Sequence, residues 1–172
     1  MSSSQQNLSS EQQHHLEGVS KLIICVVVSD WNSEVTHAML DGCRLTLQQQ
    51  GIPDQSIQIF HVPGSFELTA GARMVDDRHS PDAVICLGCV IQGETKHNEY
   101  INQAVAHGLT QLSIVRSKPF VFGVLTPNNQ EQARERAGGK HGNKGVEAAH
   151  TALKMIALKQ QLKDSISSIG FK

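Results

Sequence analysis

The stretch AVICLGCVIQGETKHNEY, Ala83 to Tyr100, decides the fold. Its first half, Ala83 to Ile91, is an unbroken apolar run of strand length, the pattern of a strand covered on both faces. Gly93, Glu94, Thr95, Lys96 and His97 then turn the chain polar. From about His97 to Val115, Ile101, Val105, Gly108, Leu109 and Leu112 recur at three- and four-residue spacing, which predicts a helix with one buried face. Buried strand, polar turn and amphipathic helix make one repeat of a parallel α/β sheet.

The same alternation extends in both directions. Upstream, Leu22 to Val28 (LIICVVV) reads as a first strand, and Val35, Met39, Gly42, Cys43 and Leu47 mark the inner face of a helix that Gly51 and Pro53 end. Ser56 to Val62 reads as a second strand, broken by PGSF. A short helix is expected over Glu67 to Met74, then a loop DDRHSPD in which His79 is merely solvated. Downstream, Pro119 to Leu125 (PFVFGVL) is the fourth strand, a short helix stops at Gly138-Gly139, and a last helix turns Val146, Ala149, Leu153, Ile156 and Ala157 inward. The expected fold class is a three-layer α/β/α sandwich on a four-stranded parallel sheet, flavodoxin-like. One domain is expected over residues 21–165, between a flexible N-terminal tail (1–20) and a C-terminal tail (166–172). His14 and His15 lie in the first tail, where solvation is a better account of them than metal binding.

A chain of 172 residues is long enough for one real core. Its formal net charge of -1 argues against a nucleic-acid partner, and no apolar run is long enough for a bilayer span. The N-terminus has no basic region followed by an apolar core, so a cytoplasmic setting is expected, with the four cysteines reduced. Cys86 and Cys89 form a C-x-x-C, but neither a helix start behind the first nor a second ligand pair accompanies it. Buried strand cysteines account for CLGC better than redox or zinc chemistry.

In parallel sheets ligands bind beyond the carboxyl ends of the strands, which selects the loops SDWN, VPGSFE, GCVIQGETKH and LTPNN. In QGETKH, Gly93 lets the backbone approach a ligand, and a helix start beside Thr95 suits an anion. His97 can give and take a proton near neutral pH. A plain helix cap with a solvated histidine fits the same residues. In VPGSFE, Phe66 is either a ring for stacking on a planar heterocycle or part of the core. Glu67 and Ser65 are either ligand contacts or helix-start residues. The sole tryptophan, Trp31, lies just past the first strand. RERAGGKHGNKG offers Arg134, Arg136, Lys140 and Lys144 as a phosphate clamp or as a solvated basic surface. There is no Walker loop and no G-x-G-x-x-G.

Taken together, VPGSFEL, LGCVIQGETKHNEY, FGVLT, QARERAG and GNKGVEAA resemble the lumazine synthase family, in its order and spacing, over roughly Leu22 to Leu158. The resemblance implies a transferase of riboflavin biosynthesis. It would condense 5-amino-6-(D-ribitylamino)uracil with 3,4-dihydroxy-2-butanone 4-phosphate, with no metal or other cofactor. It implies His97 as proton donor and Trp31 as the ring stacked on the pyrimidine. Ser65, Phe66 and Glu67 would meet the ribityl chain and ring, and Cys89, Val90 and Ile91 would line the pyrimidine pocket. Glu94 and Thr95 would hold the phosphate together with Arg136, with Lys144 in support, and Phe122 would reach across a subunit interface. It further implies a homo-pentamer, which in some members assembles into an icosahedral capsid of twelve pentamers (a 60-mer), and riboflavin synthase as a partner. The chain departs from the family's usual arginine at Gln92, proline at Thr69 and aromatic at Asn98. The alternatives are a non-catalytic flavin-binding shell protein of the same fold and a thiol-redox protein built on Cys86 and Cys89.

Overall fold

The computed structural model describes residues 16–167, with side chains as far as residue 163. Residues 1–15, with His14 and His15, and residues 168–172 lie outside the described residues. The elements are β1 (Ile24–Ser29), α1 (Ser33–Gln49), β2 (Ile57–Val62), α2 (Leu68–His79), β3 (Ala83–Cys89), α3 (His97–Arg116), β4 (Phe120–Leu125), α4 (Gln130–Glu135), β5 (Ala137–Gly139), β6 (Gly142–Asn143) and α5 (Lys144–Ser167).

Strands β1 to β4 form one parallel sheet in the order β2-β1-β3-β4. The alternation of strand side chains divides the core into two. Ile24, Val26 and Val28 of β1 and Ile85 and Leu87 of β3 face α1 and α5, meeting Met39, Leu47, Ala149 and Leu153. Cys25, Val27, Val84 and Cys86 face the other way, onto Leu68 and Ala72 of α2 and Val105 and Leu109 of α3. The two central strands are buried along their whole length. This is the three-layer flavodoxin-like sandwich that the sequence predicts. Among the described residues no helix is long and apolar enough to cross a membrane.

Several details differ from the sequence reading. Helix α2 runs to His79 rather than stopping near Met74, because Asp76 in its last turns is fully buried and bonded to Lys118 (2.7 Å) and Arg116. Burial alone would raise the Asp76 carboxyl. Hydrogen bonds from Lys118 and Arg116 outweigh it and hold the group below the ordinary carboxylate range. His79 is not merely solvated: its ring lies against Phe60, centroids 5.0 Å apart. The glycine-rich segment after α4 is a small antiparallel hairpin, β5–β6. Asn143 fixes the helix that follows: its carboxamide oxygen accepts from the Gly145 amide (2.8 Å), and its nitrogen donates to the Ala38 carbonyl (2.9 Å) on α1. Gly145 has no alternative, since a Cβ there would collide with the Met39 carbonyl. Leu16 and Val19, just inside the described segment, pack against the α1/α5 side of the core, and α5 continues to Ser167.

Candidate active site

The sheet ladder continues beyond the strands and carries their loops outward. The Asp30 amide donates to the Val62 carbonyl (2.8 Å) and the Trp31 amide to Pro63 (3.1 Å). Beyond β3, Val90 donates to Leu125 (2.9 Å) and Gln92 to Pro127 (2.9 Å). Asn32, in the left-handed region at φ 60°, turns the chain into α1 and bonds the Cys89 carbonyl at 2.9 Å, so the first and third loops meet.

Between these loops and the start of α3 lies a cavity of about 740 Å³ at the carboxyl end of the sheet. Trp31, Ser65, Phe66, Glu67, Cys89, Val90, Ile91, Thr95 and His97, each expected at a ligand site, line it. Asn32, Tyr100 and Ile101 line it as well and went unforeseen. The last two stand three and four residues after His97, the spacing that places them on its face of α3, and that spacing could have found them. Glu94, Phe122, Arg136 and Lys144 are not part of its lining. Phe122 is half-buried on β4 against the α2/α3 side of the core. Arg136 donates to Glu147 (2.9 Å) and to the His141 carbonyl (3.2 Å), and Lys144 holds the other Glu147 oxygen at 2.9 Å.

The walls suit a flat, partly polar ligand. Trp31 is 73% exposed, Tyr100 69% and Phe66 60%, although the chain has one tryptophan, one tyrosine and five phenylalanines. Exposed rings gathered round one concavity mark a binding surface. Ser65 lies deep on the 65–67 turn, and its Oγ is buried with no hydrogen-bond partner among the described residues. Such a hydroxyl costs free energy until a partner arrives. Gly88 of β3 allows that depth, because a Cβ there would stand 2.6 Å from Ser65 Oγ. His97 is the first residue of α3 and makes no hydrogen bond or ion pair within the described chain, so its ring is available to a ligand. The free amides of that helix start sit beside Thr95 at the cavity wall, an arrangement suited to an anion.

The cysteines play a different part. All four are free and buried. Burial pushes the thiols of Cys25 and Cys43 up to about 12 and that of Cys89 to about 11, and it raises Cys86 further. A thiolate is the reactive form, so Cys86 and Cys89 are strand core rather than a redox pair.

A sequence profile of the 6,7-dimethyl-8-ribityllumazine synthase family matches residues 21–160. The chain belongs to that family. It is 50% identical over 157 residues to the 6,7-dimethyl-8-ribityllumazine synthase of Cytophaga hutchinsonii, covering 91% of this chain and 98% of that relative. It is 44% identical over 160 residues to the synthase of Porphyromonas gingivalis (93% and 99%) and 42% identical over 156 residues to that of Parabacteroides distasonis (91% and 98%). The cavity of this lumazine synthase family member is formed by the same VPGSFEL and LGCVIQGETKHNEY segments that carry the resemblance.

Proposed function

We propose that the chain is a 6,7-dimethyl-8-ribityllumazine synthase, a transferase. It condenses 5-amino-6-(D-ribitylamino)uracil with 3,4-dihydroxy-2-butanone 4-phosphate, releasing phosphate and two molecules of water. The observation that carries this reading is the convergence of Trp31, Phe66, Ser65, Glu67 and His97 on one cavity, in a chain of this family.

The chemistry assigns each residue a task. The pyrimidine lies against Trp31, over Cys89, Val90 and Ile91, while Ser65, Phe66 and Glu67 meet the ribityl chain and the ring edge. The 5-amino group attacks the ketone carbon, and His97 donates a proton to the oxygen that leaves as the first water. Phosphate then leaves from C4 of the butanone skeleton, held by Thr95, the backbone of the Glu94–Thr95 turn and the amides at the start of α3. Loss of the C3 proton with the phosphate leaves an enol, whose tautomerisation turns the C3 hydroxyl into a ketone. Attack of the ribityl-bearing nitrogen on that carbonyl closes the second ring and expels the second water. Aromatisation of the product drives the sequence forward, so positioning contributes more than proton transfer.

Arg136 and Lys144 lie off this cavity and are tied to Glu147, and Phe122 lies on the edge strand β4. Their proposed tasks are met across a subunit interface, with Phe122 and Arg136 completing a neighbour's site and Lys144 in support. A homo-pentamer, the assembly that the family resemblance implies, supplies them in turn. The hairpin sequence AGGKHGNKG has no insertion, which favours onward assembly into an icosahedral capsid. A cytoplasmic setting, a single catalytic domain and passage of product to riboflavin synthase complete the reading.

Mixing the purified protein with both substrates tests it. Lumazine fluorescence should rise together with one phosphate per product. Binding of the pyrimidine without phosphate release would refute the catalytic reading, and light scattering would distinguish pentamer from shell.

A further inference from the structure

A second group of side chains converges on the opposite side of the Trp31 turn, and the condensation chemistry does not use it. Asp30, His37 and His61 come from three different elements, and their ligand atoms all lie within 4.8 Å of one another. The sheet dictates the meeting. Ile24, Val26 and Val28 form the α1-facing row of β1, and Asp30 is the next residue in that row. Ile57 and Ile59 form the same row on β2, and His61 follows. The two rows are in register, with Val28 opposite His61. His37, one turn into α1, closes the triangle from above.

The donor set suits a metal ion. His61 Nδ1 lies 2.8 Å from Asp30 Oδ1, and the rings of His37 and His61 meet edge-on with centroids 5.8 Å apart at 89°. His37 makes no hydrogen bond within the described chain, so both its nitrogens are available. Ligands at about 2.0–2.2 Å around one tetrahedral ion stand about 3.4 Å apart, which rotation of these exposed side chains can reach. Two imidazoles and one carboxylate select a borderline first-row ion over Mg²⁺ or Ca²⁺. The edge position of β2 leaves a fourth place open to water. We propose that Asp30, His37 and His61 bind one divalent zinc-type cation per chain. Bound there, the ion ties the ends of β1 and β2 to α1 and fixes the turn that carries Trp31.

The test uses the full chain in a His14→Ala/His15→Ala background, which removes the paired imidazoles of positions 14 and 15 as competing donors. Isothermal titration with Zn²⁺ should saturate at one ion per chain. His37→Gln, His61→Gln and Asp30→Asn should each weaken binding about tenfold or more, while His79→Gln, on α2, should not. All three ligands are exposed, so these variants should melt with the parent. Trp31 is the sole tryptophan and adjoins Asp30, so Cu²⁺ should quench its emission in the parent and far less in His61→Gln. The proposal is overturned if Zn²⁺ uptake falls short of one equivalent, if the ligand variants titrate like the parent, or if Cu²⁺ quenches parent and variant alike.

Discussion

Replacing Trp31 with alanine should separate binding from stability. The indole is 73% exposed, so folding buries only about a quarter of its surface. A tryptophan presents on the order of 250 Å². At about 25 cal/mol per Å² the buried share is worth at most ~1.7 kcal/mol. Stacking of a heterocyclic base on an aromatic ring is worth about 1–3 kcal/mol, or roughly 5- to 150-fold in affinity. Trp31→Ala should therefore raise KM for the ribitylaminouracil by one to two orders of magnitude. KM for the butanone phosphate should change little, and the thermal midpoint should fall by only a few degrees. Steady-state kinetics with each substrate varied in turn, beside a melting curve, gives both numbers. An unchanged pyrimidine KM, or an equal rise for both substrates, would refute the stacking role and place the pyrimidine elsewhere in the cavity.

His97→Ala should lower kcat by up to about a hundredfold, the lower end of general acid–base effects, without abolishing turnover. Complete loss in a folded protein would show that proton transfer outweighs positioning. Ser65→Ala removes a buried hydroxyl that has no partner. Urea melts should show stability unchanged or slightly raised, while the pyrimidine KM rises about fivefold, as for a lost neutral hydrogen bond of about 1 kcal/mol. Asp76 is fully buried with its carboxyl held low, so its stabilising charge is fully present above the unfolded value near pH 4 and is lost as pH falls through the lower folded value. Asp76→Asn should cost about 3–5 kcal/mol at pH 7, and its difference from the parent should shrink near pH 3. A cost independent of pH would contradict the ion-pair account.

Periodicity reveals this architecture because each strand and helix buries a face of its own. The runs at Leu22 to Val28 and Ala83 to Ile91 contain the central strands β1 and β3, covered by helices on both sides, and nothing in them alternates. The rule that ligands sit beyond strand carboxyl ends then selected the loops of Trp31, Phe66 and His97, and the structure gathers them on one cavity. What escaped depends on partners distant in sequence. Asp76 reads as a loop residue until Arg116 and Lys118, some forty positions on, neutralise it within a helix. The β5–β6 hairpin has strands too short and too rich in glycine for any period to register. Asp30, His37 and His61 are each unremarkable alone; the register of β1 with β2 brings Asp30 to His61, and the packing of α1 on the sheet brings His37. The tasks given to Phe122, Arg136 and Lys144 rest on family resemblance, because no single subunit's spacing can reveal what a neighbour contributes.

The most direct measurement is a crystal structure of the protein with a ribitylated pyrimidine that lacks the reactive 5-amino group. The ring should lie against Trp31 over Val90 and Ile91, with a ribityl hydroxyl within hydrogen-bond distance of Ser65 Oγ and His97 facing the position of the missing amine. A ligand seated instead in the second groove, which Phe120 and Val121 of β4 and Thr151 and Met155 of α5 line, or a ring remote from both Trp31 and His97, would contradict the account.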